Sequence, residues 1–119
     1  MAGDNLTNVE FDNNAPSAPA LTGLPAFDAD GAVVLNWTNT TASVADVIYY
    51  NIYRSANASF ALSSATKVKN VSGNFNFTTD FPGLDATYYY KVTAVDNALL
   101  ESAASNEVST AISFAASVF

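Results

Sequence analysis

Neither cysteine nor histidine occurs among the 119 residues of this chain. Their absence removes the usual imidazole base, the thiolate nucleophile and the nitrogen and sulfur metal ligands. No disulfide framework is available, and the redox compartment stays open, because a chain of this length can bury a core without a staple. Basic residues are equally scarce: Arg54, Lys67, Lys69 and Lys91 face eleven acidic residues, for a net charge of -7. That balance repels phosphate backbones and anionic lipid, which argues against nucleic acid and membrane as partners. No apolar run is long enough to span a bilayer. Met1-Ala2-Gly3 is followed at once by Asp4-Asn5, without the charged start or apolar stretch of a signal peptide. A signal belonging to a longer precursor is expected upstream. The five glycines are scattered, and none sits in a phosphate-cradling loop.

Half of the residues are apolar and they are evenly spread, which suits a single core. Residues 1–19 read as a leader or linker, rich in Asp, Asn, Ala and Pro with Leu6, Val9 and Phe11 interspersed. The domain is expected over residues 20–112, with 113–119 as a strand extension or the start of a linker. Short branched and aromatic runs separated by turn formers predict strands. They fall at Ala20 to Leu24, Gly31 to Thr38, Asp46 to Arg54, Phe60 to Leu62, Lys67 to Val71, Phe75 to Thr79, Tyr88 to Val95 and Glu107 to Ile112. The two-residue period of a strand puts Val33, Leu35 and Trp37 on one face, with Trp37 as the centre of the core. It groups Ile48, Tyr50 and Ile52 against Tyr49, Asn51 and Tyr53, and sets Tyr88, Tyr90, Val92 and Ala94 on one face of the longest strand. Ser72-Gly73-Asn74 and Pro82-Gly83 supply turns. Many short strands without helix-length crossovers predict an all-β sandwich of two sheets.

The segment Thr87-Tyr88-Tyr89-Tyr90-Lys91-Val92-Thr93-Ala94-Val95-Asp96-Asn97, with Ser105-Asn106-Glu107-Val108 after it, resembles the last hairpin of a fibronectin type III domain. Pro16, Pro19, Trp37 and Tyr50-Asn51-Ile52-Tyr53-Arg54-Ser55 extend the resemblance over most of Pro16 to Ile112. It implies an immunoglobulin-like β-sandwich of about seven antiparallel strands in two sheets. Tyr88 matches the family tyrosine whose hydroxyl bonds backbone at the corner before the sixth strand. Pro82 stands six residues before it, where the family usually has leucine, so an altered corner hydrogen bond is expected. The stretch Asp12-Asn13-Asn14-Ala15-Pro16, together with Val95-Asp96-Asn97 and Ser105-Asn106-Glu107, is similar to modules of bacterial extracellular polysaccharidases, including starch and pullulan hydrolases. The resemblance implies a noncatalytic accessory module that spaces or docks the adjoining domains of a secreted carbohydrate-active enzyme. A carbohydrate-binding module and a cell-surface adhesion or stalk repeat are the alternatives.

The carboxylates offer little to catalysis. Glycoside hydrolysis needs two held about 5 to 9 Å apart in an enclosing cleft, whereas Asp28, Asp30, Asp80, Asp85, Asp96 and Glu101 read as turn residues that solubilise loops. Calcium is a better use of them, because it accepts loop carboxylates without histidine. The candidate ligands are Asp28 with Asp30, or Asp12 with Asp96, and turn chemistry in which Asp bonds its own backbone competes for them. If Tyr50 and Ile52 face the core, Tyr49 and Tyr53 face out, and Tyr89 joins them from the neighbouring strand as a flat aromatic strip flanked by Asn51. Such a strip fits polysaccharide stacking or docking to an adjoining domain, while simple cross-strand packing also accounts for it. Glycosylation triplets begin at Asn5, Asn36, Asn39, Asn57, Asn70 and Asn76, and the bacterial resemblance favours unmodified asparagines. The isolated domain is expected to be a metal-free monomer, since its strands bury a core unaided and its acidic surface discourages self-association.

Overall fold

Alternation in Val-Val-Leu-Asn-Trp-Thr builds the central strand of the smaller sheet, with every second side chain buried. The computed structural model describes residues 15–39 and 47–113, apart from the side chain of Phe27. Among them run β1 (Ala20–Leu21), β2 (Phe27–Asp28), β3 (Val33–Thr38), β4 (Val47–Ser55), β5 (Lys67–Ser72), β6 (Phe77–Asp80), β7 (Ala86–Asp96) and β8 (Val108–Ile112). One sheet has the order β1-β3-β6 and the other β2-β8-β7-β4-β5. Seven strands pair antiparallel; the two-residue β2 adds to β8 in parallel. The two sheets enclose one core, as the sequence pattern implied. It takes Leu21, Val33, Leu35 and Trp37 from the smaller sheet and Val47, Tyr50, Ile52, Tyr88, Tyr90, Val92, Ala94, Val108 and Ile112 from the larger. Trp37 is 2% exposed and meets Tyr50 edge to face, ring centroids 5.2 Å apart.

Several expectations need correction. Ile48 does not share the core face of Tyr50 and Ile52. Val47 opposes Asp96 while Tyr49 opposes Val95, so Ile48 is an extra residue, a β-bulge. The bulge changes the phase of the strand, turning Val47 inward and leaving Ile48 41% exposed. Gly73 makes room for it: its amide donates to the Ile48 carbonyl, and a Cβ there would lie 2.2 Å from the Val47 carbonyl oxygen. Phe60 to Leu62 forms no strand, although Phe60 is buried. Phe75 precedes β6 rather than beginning it, and the first strand pairs only at Ala20 and Leu21.

Polar side chains close the places where backbone pairing stops. Beyond Tyr90, β7 stays paired with β4 but runs past β8 on its other side, where the hydroxyls of Ser105 and Ser102 accept the amides of Val92 and Ala94. Asn106 binds both the amide and the carbonyl of Leu21, tying β1 to the loop before β8 and so joining the two sheets. Along the open side, Lys69 on the edge strand reaches Thr78 Oγ1 and the Thr79 carbonyl, an inward charge that also blunts the sheet edge. The Tyr88 hydroxyl donates to the Leu84 carbonyl at 3.0 Å, so the corner bond is made four residues upstream despite Pro82. Pro16 and Pro19 are buried at one pole, and β8 ends at the other, where Ile112 opposes Ala86.

Candidate functional site

The outer face of the larger sheet carries the aromatic positions singled out above, in a different arrangement. Tyr53 is only 3% exposed and Asn51 2%, although both point away from the core. What covers them is Glu101. After β7 the chain turns tightly, with Asp96 Oδ1 accepting the amides of Ala98 and Leu100 and Leu99 at a left-handed φ of 63°. Glu101 then pairs with Val95, which directs its side chain back over the sheet. Its Oε2 accepts hydrogen bonds from Asn51 Nδ2 at 3.0 Å, the Tyr53 hydroxyl at 2.5 Å and Thr93 Oγ1 at 2.5 Å. Asn51 Oδ1 in turn accepts from Asn70 Nδ2 at 2.6 Å. One network thus crosses β5, β4, β7 and the following hairpin. Burial pushes the Glu101 carboxyl upward, but the three donors and the charge of Lys67 outweigh it and hold the group below its ordinary value. Burial first, then the bond to Glu101 and its charge, push the Tyr53 phenol up to about 12.

Continuous aromatic packing is therefore absent from this face. Lys91 stands opposite Tyr53 and separates it from Tyr89; its ammonium donates to the Phe60 carbonyl and lies 4.9 Å from the Phe60 ring centroid. Tyr49 and Tyr89 are half-buried. The Asn51 amide, which flanks these rings, is committed at both ends. Replacing the three tyrosines together would thus disturb the fold, contrary to an outward strip. Periodicity identified the face correctly but not its cover, because the covering carboxylate lies 48 residues after Tyr53 in the chain.

The acidic residues divide by environment. Asp28 Oδ1 accepts the amides of Asp30 and Gly31, and Asp30 Oδ1 that of Ala32, which is the turn chemistry of aspartate. The hydrogen bond between the two carboxyls raises Asp28 and lowers Asp30. Asp96 is buried at the opposite pole, with no partner for Oδ2 among the described residues; Asp12 lies outside the described residues. No three carboxylates gather as a metal site among the described residues. Asp80 is not a solubilising loop charge: it is buried and accepts from Arg54 Nη1 at 2.8 Å and the Tyr90 hydroxyl at 2.7 Å. On the outer face of the smaller sheet, Val34 and Phe77 are each about half exposed, and Phe75 packs edge to face on Phe77. The register that faces Asn36 with Phe77 places this uncharged patch outward. Outward alternation of Val34 and Asn36 was the signal for it in the sequence.

A pH dependence follows from Tyr53. An unfolded tyrosine ionises near about pH 10, whereas the folded phenol holds its proton to about 12. This contribution to stability is complete below the unfolded value and is lost as pH rises through the folded one. Tyr90, raised chiefly by burial and then by Asp80, acts in the same direction. Circular dichroism and tyrosinate absorbance should show a late ionisation that coincides with unfolding, and Tyr53→Phe should flatten the alkaline limb. Early, fully reversible ionisation of every tyrosine in the folded state would contradict this.

No family model matches the chain, and no curated protein matches it. Among solved structures, a β-1,2-glucanase from Parabacteroides distasonis is similar at 32% identity over 84% of this chain, with a TM-score of 0.64. A pectate lyase from Erwinia chrysanthemi, solved with tetragalacturonic acid, is similar at 16% identity over 78% of the chain, with a TM-score of 0.60. The FN1–FN3 domains of chicken contactin align at 18% identity over 82%, with a TM-score of 0.58. This chain spans only 14%, 28% and 33% of those three chains. Together with the two-sheet topology and the Tyr88 corner, these similarities give the chain a fibronectin-III-like β-sandwich fold.

Proposed function

We propose that this chain is a noncatalytic accessory module of a larger, secreted bacterial carbohydrate-active enzyme, in which it spaces or docks the adjoining domains. The observation that carries this reading is the 32% identity to a β-1,2-glucanase of which the matched part is 14%. A β-glucan-degrading host is thereby favoured over the starch and pullulan hydrolases suggested by motif style. Supporting it, the carboxylates with defined partners are spent on structure: Asp80 on Arg54 and Tyr90, Glu101 on three donors, and Asp96 on a turn. The chain enters and leaves the sandwich at opposite poles, which suits a module set in line between neighbours. Phe81 and Leu84 are exposed at the exit pole and Phe77 on the lateral face, and both are places where a neighbouring domain would gain apolar burial.

The test has two parts. Incubated alone with β-1,2-glucan, the chain should release no reducing ends. In the parent enzyme, deletion of the module should lower the melting temperature of the remainder while leaving kcat on short soluble oligosaccharides unchanged. Turnover by the isolated chain that a single carboxylate substitution abolishes would overturn the reading. A second reading, direct glycan binding, is favoured by the ordered polar network around Glu101.

A further inference from the structure

We infer that the Glu101 network is a recognition site for the hydroxyls of a neutral glycan chain, an assignment that rests on the chain belonging to a carbohydrate-active enzyme. The inner valences of the network are used up. Tyr53, Thr93 and Asn51 all donate to one carboxylate oxygen, Oε2, and Asn51 also accepts from Asn70. The outer valences are not: among the described residues Glu101 Oε1 and Asn70 Oδ1 remain as acceptors on exposed residues, and the exposed Lys67, opposite Tyr53 with its ammonium 6.0 Å from that ring, stands by as donor. A glutamate held by three donors is oriented before any ligand arrives, so the cost of ordering it does not fall on binding. The half-buried Tyr49, two residues before Asn51 on the same face of β4, borders the network with an aromatic surface.

Charge selects the ligand class. An ionised carboxylate on a chain of net charge -7 opposes uronate polymers and phosphates. The neighbouring Lys67 ammonium opposes a bound cation, and the site supplies one carboxylate where calcium takes six to eight oxygens. A ligand that both donates and accepts without net charge satisfies acceptors and ammonium together, and the adjacent hydroxyls of a neutral sugar ring do so. Stacking is secondary here, because Tyr53 lies beneath the network and Lys91 interrupts the path to Tyr89.

Heteronuclear NMR titration of the chain with β-1,2-gluco-oligosaccharide, and separately with oligogalacturonate, tests the assignment. Saturable shifts are expected with the neutral sugar at the Asn51 and Asn70 side-chain amides and at Lys67, Tyr49 and Glu101, with none for the uronate. Asn70→Ala leaves the three bonds to Glu101 in place but removes the donor to the buried Asn51 Oδ1; it should weaken binding by the folded protein about fivefold, the worth of one hydrogen bond, and lower the melting temperature modestly. Shifts confined to Val34 and Phe77, equal binding of both sugars, or no shifts at millimolar neutral glycan would each overturn this site. Those outcomes leave the accessory-module reading standing, which fails instead on turnover by the isolated chain.

Discussion

Replacing Trp37 with alanine should destabilise the domain by about 3–5 kcal/mol, through lost transfer energy and a cavity that strands cannot close. Trp37 is the largest of the four core side chains that the smaller sheet contributes. Its neighbours are fixed: Leu21 opposes it across β1, and Tyr50 of the other sheet meets its ring. Alanine would remove the principal apolar contact between the sheets, and a small domain has only about 5–15 kcal/mol in total. Trp37→Phe should be much milder. Nε1 is buried without a hydrogen-bond partner among the described residues, so phenylalanine loses volume and also removes an unsatisfied donor, whose burial costs about 1–3 kcal/mol. Urea unfolding of both variants at equal m-value measures the difference. A Trp37→Ala loss below about 1 kcal/mol, the level of an ordinary substitution, would mean that the sheets hold together without this residue.

The strands whose faces were legible in the sequence are those where one local rule acts without interruption. Val33, Leu35 and Trp37 alternate with outward residues over the whole of β3. Tyr88, Tyr90, Val92 and Ala94 share the inward face of β7, and all four are buried. Legibility fails at Ile48, because a single extra residue reverses the phase and the amino-acid types on either side are equally suited to both phases. It fails again at Asn51 and Tyr53, whose outward direction was read correctly but whose burial depends on a hairpin about fifty residues away. Asp80 looked like a turn carboxylate because Phe81, Pro82 and Gly83 follow it. Its partners Arg54 and Tyr90 come from the opposite sheet, and no spacing rule relates them to it. Ser102 and Ser105 are a middle case. The Ser105-Asn106-Glu107 motif was recognisable as family style, while its physical role, hydroxyls and amide standing in for missing strand pairing, required the fold. The candidate binding site belongs wholly to the long-range class: Lys67 and Asn70, Asn51 and Tyr53, Thr93, and Glu101 come from four separate segments. Reading the aromatic strip alone therefore selected the sheet face that carries this network but not the polar residues that cover it.

Asp80→Ala should cost about 3 kcal/mol, the lower part of the range for breaking a buried pair, because Arg54 keeps some access to water. The side chains of Arg54 and Asp80 are 26% and 9% exposed, so the guanidinium that loses its partner is partly rehydrated. Tyr90 is not: it is fully buried, and its hydroxyl donates to the same Asp80 oxygen. Removing the carboxylate leaves that donor orphaned within the clasp between β6 and the larger sheet. Asp80→Asn keeps an acceptor oxygen and the shape of the side chain, and should cost about half as much, since a charge-assisted bond is roughly twice as strong as a neutral one. The decisive measurement is a double-mutant cycle with Tyr90→Phe, which deletes the hydroxyl and preserves the ring in the core. Tyr90→Phe alone should cost about 1 kcal/mol. The double variant should be less destabilised than the sum of the two single changes, by more than about 0.5 kcal/mol, as direct partners require. Strict additivity would show that the hydroxyl and the carboxylate do not interact in solution, and that the open side of the sandwich is closed by Lys69 and apolar packing instead.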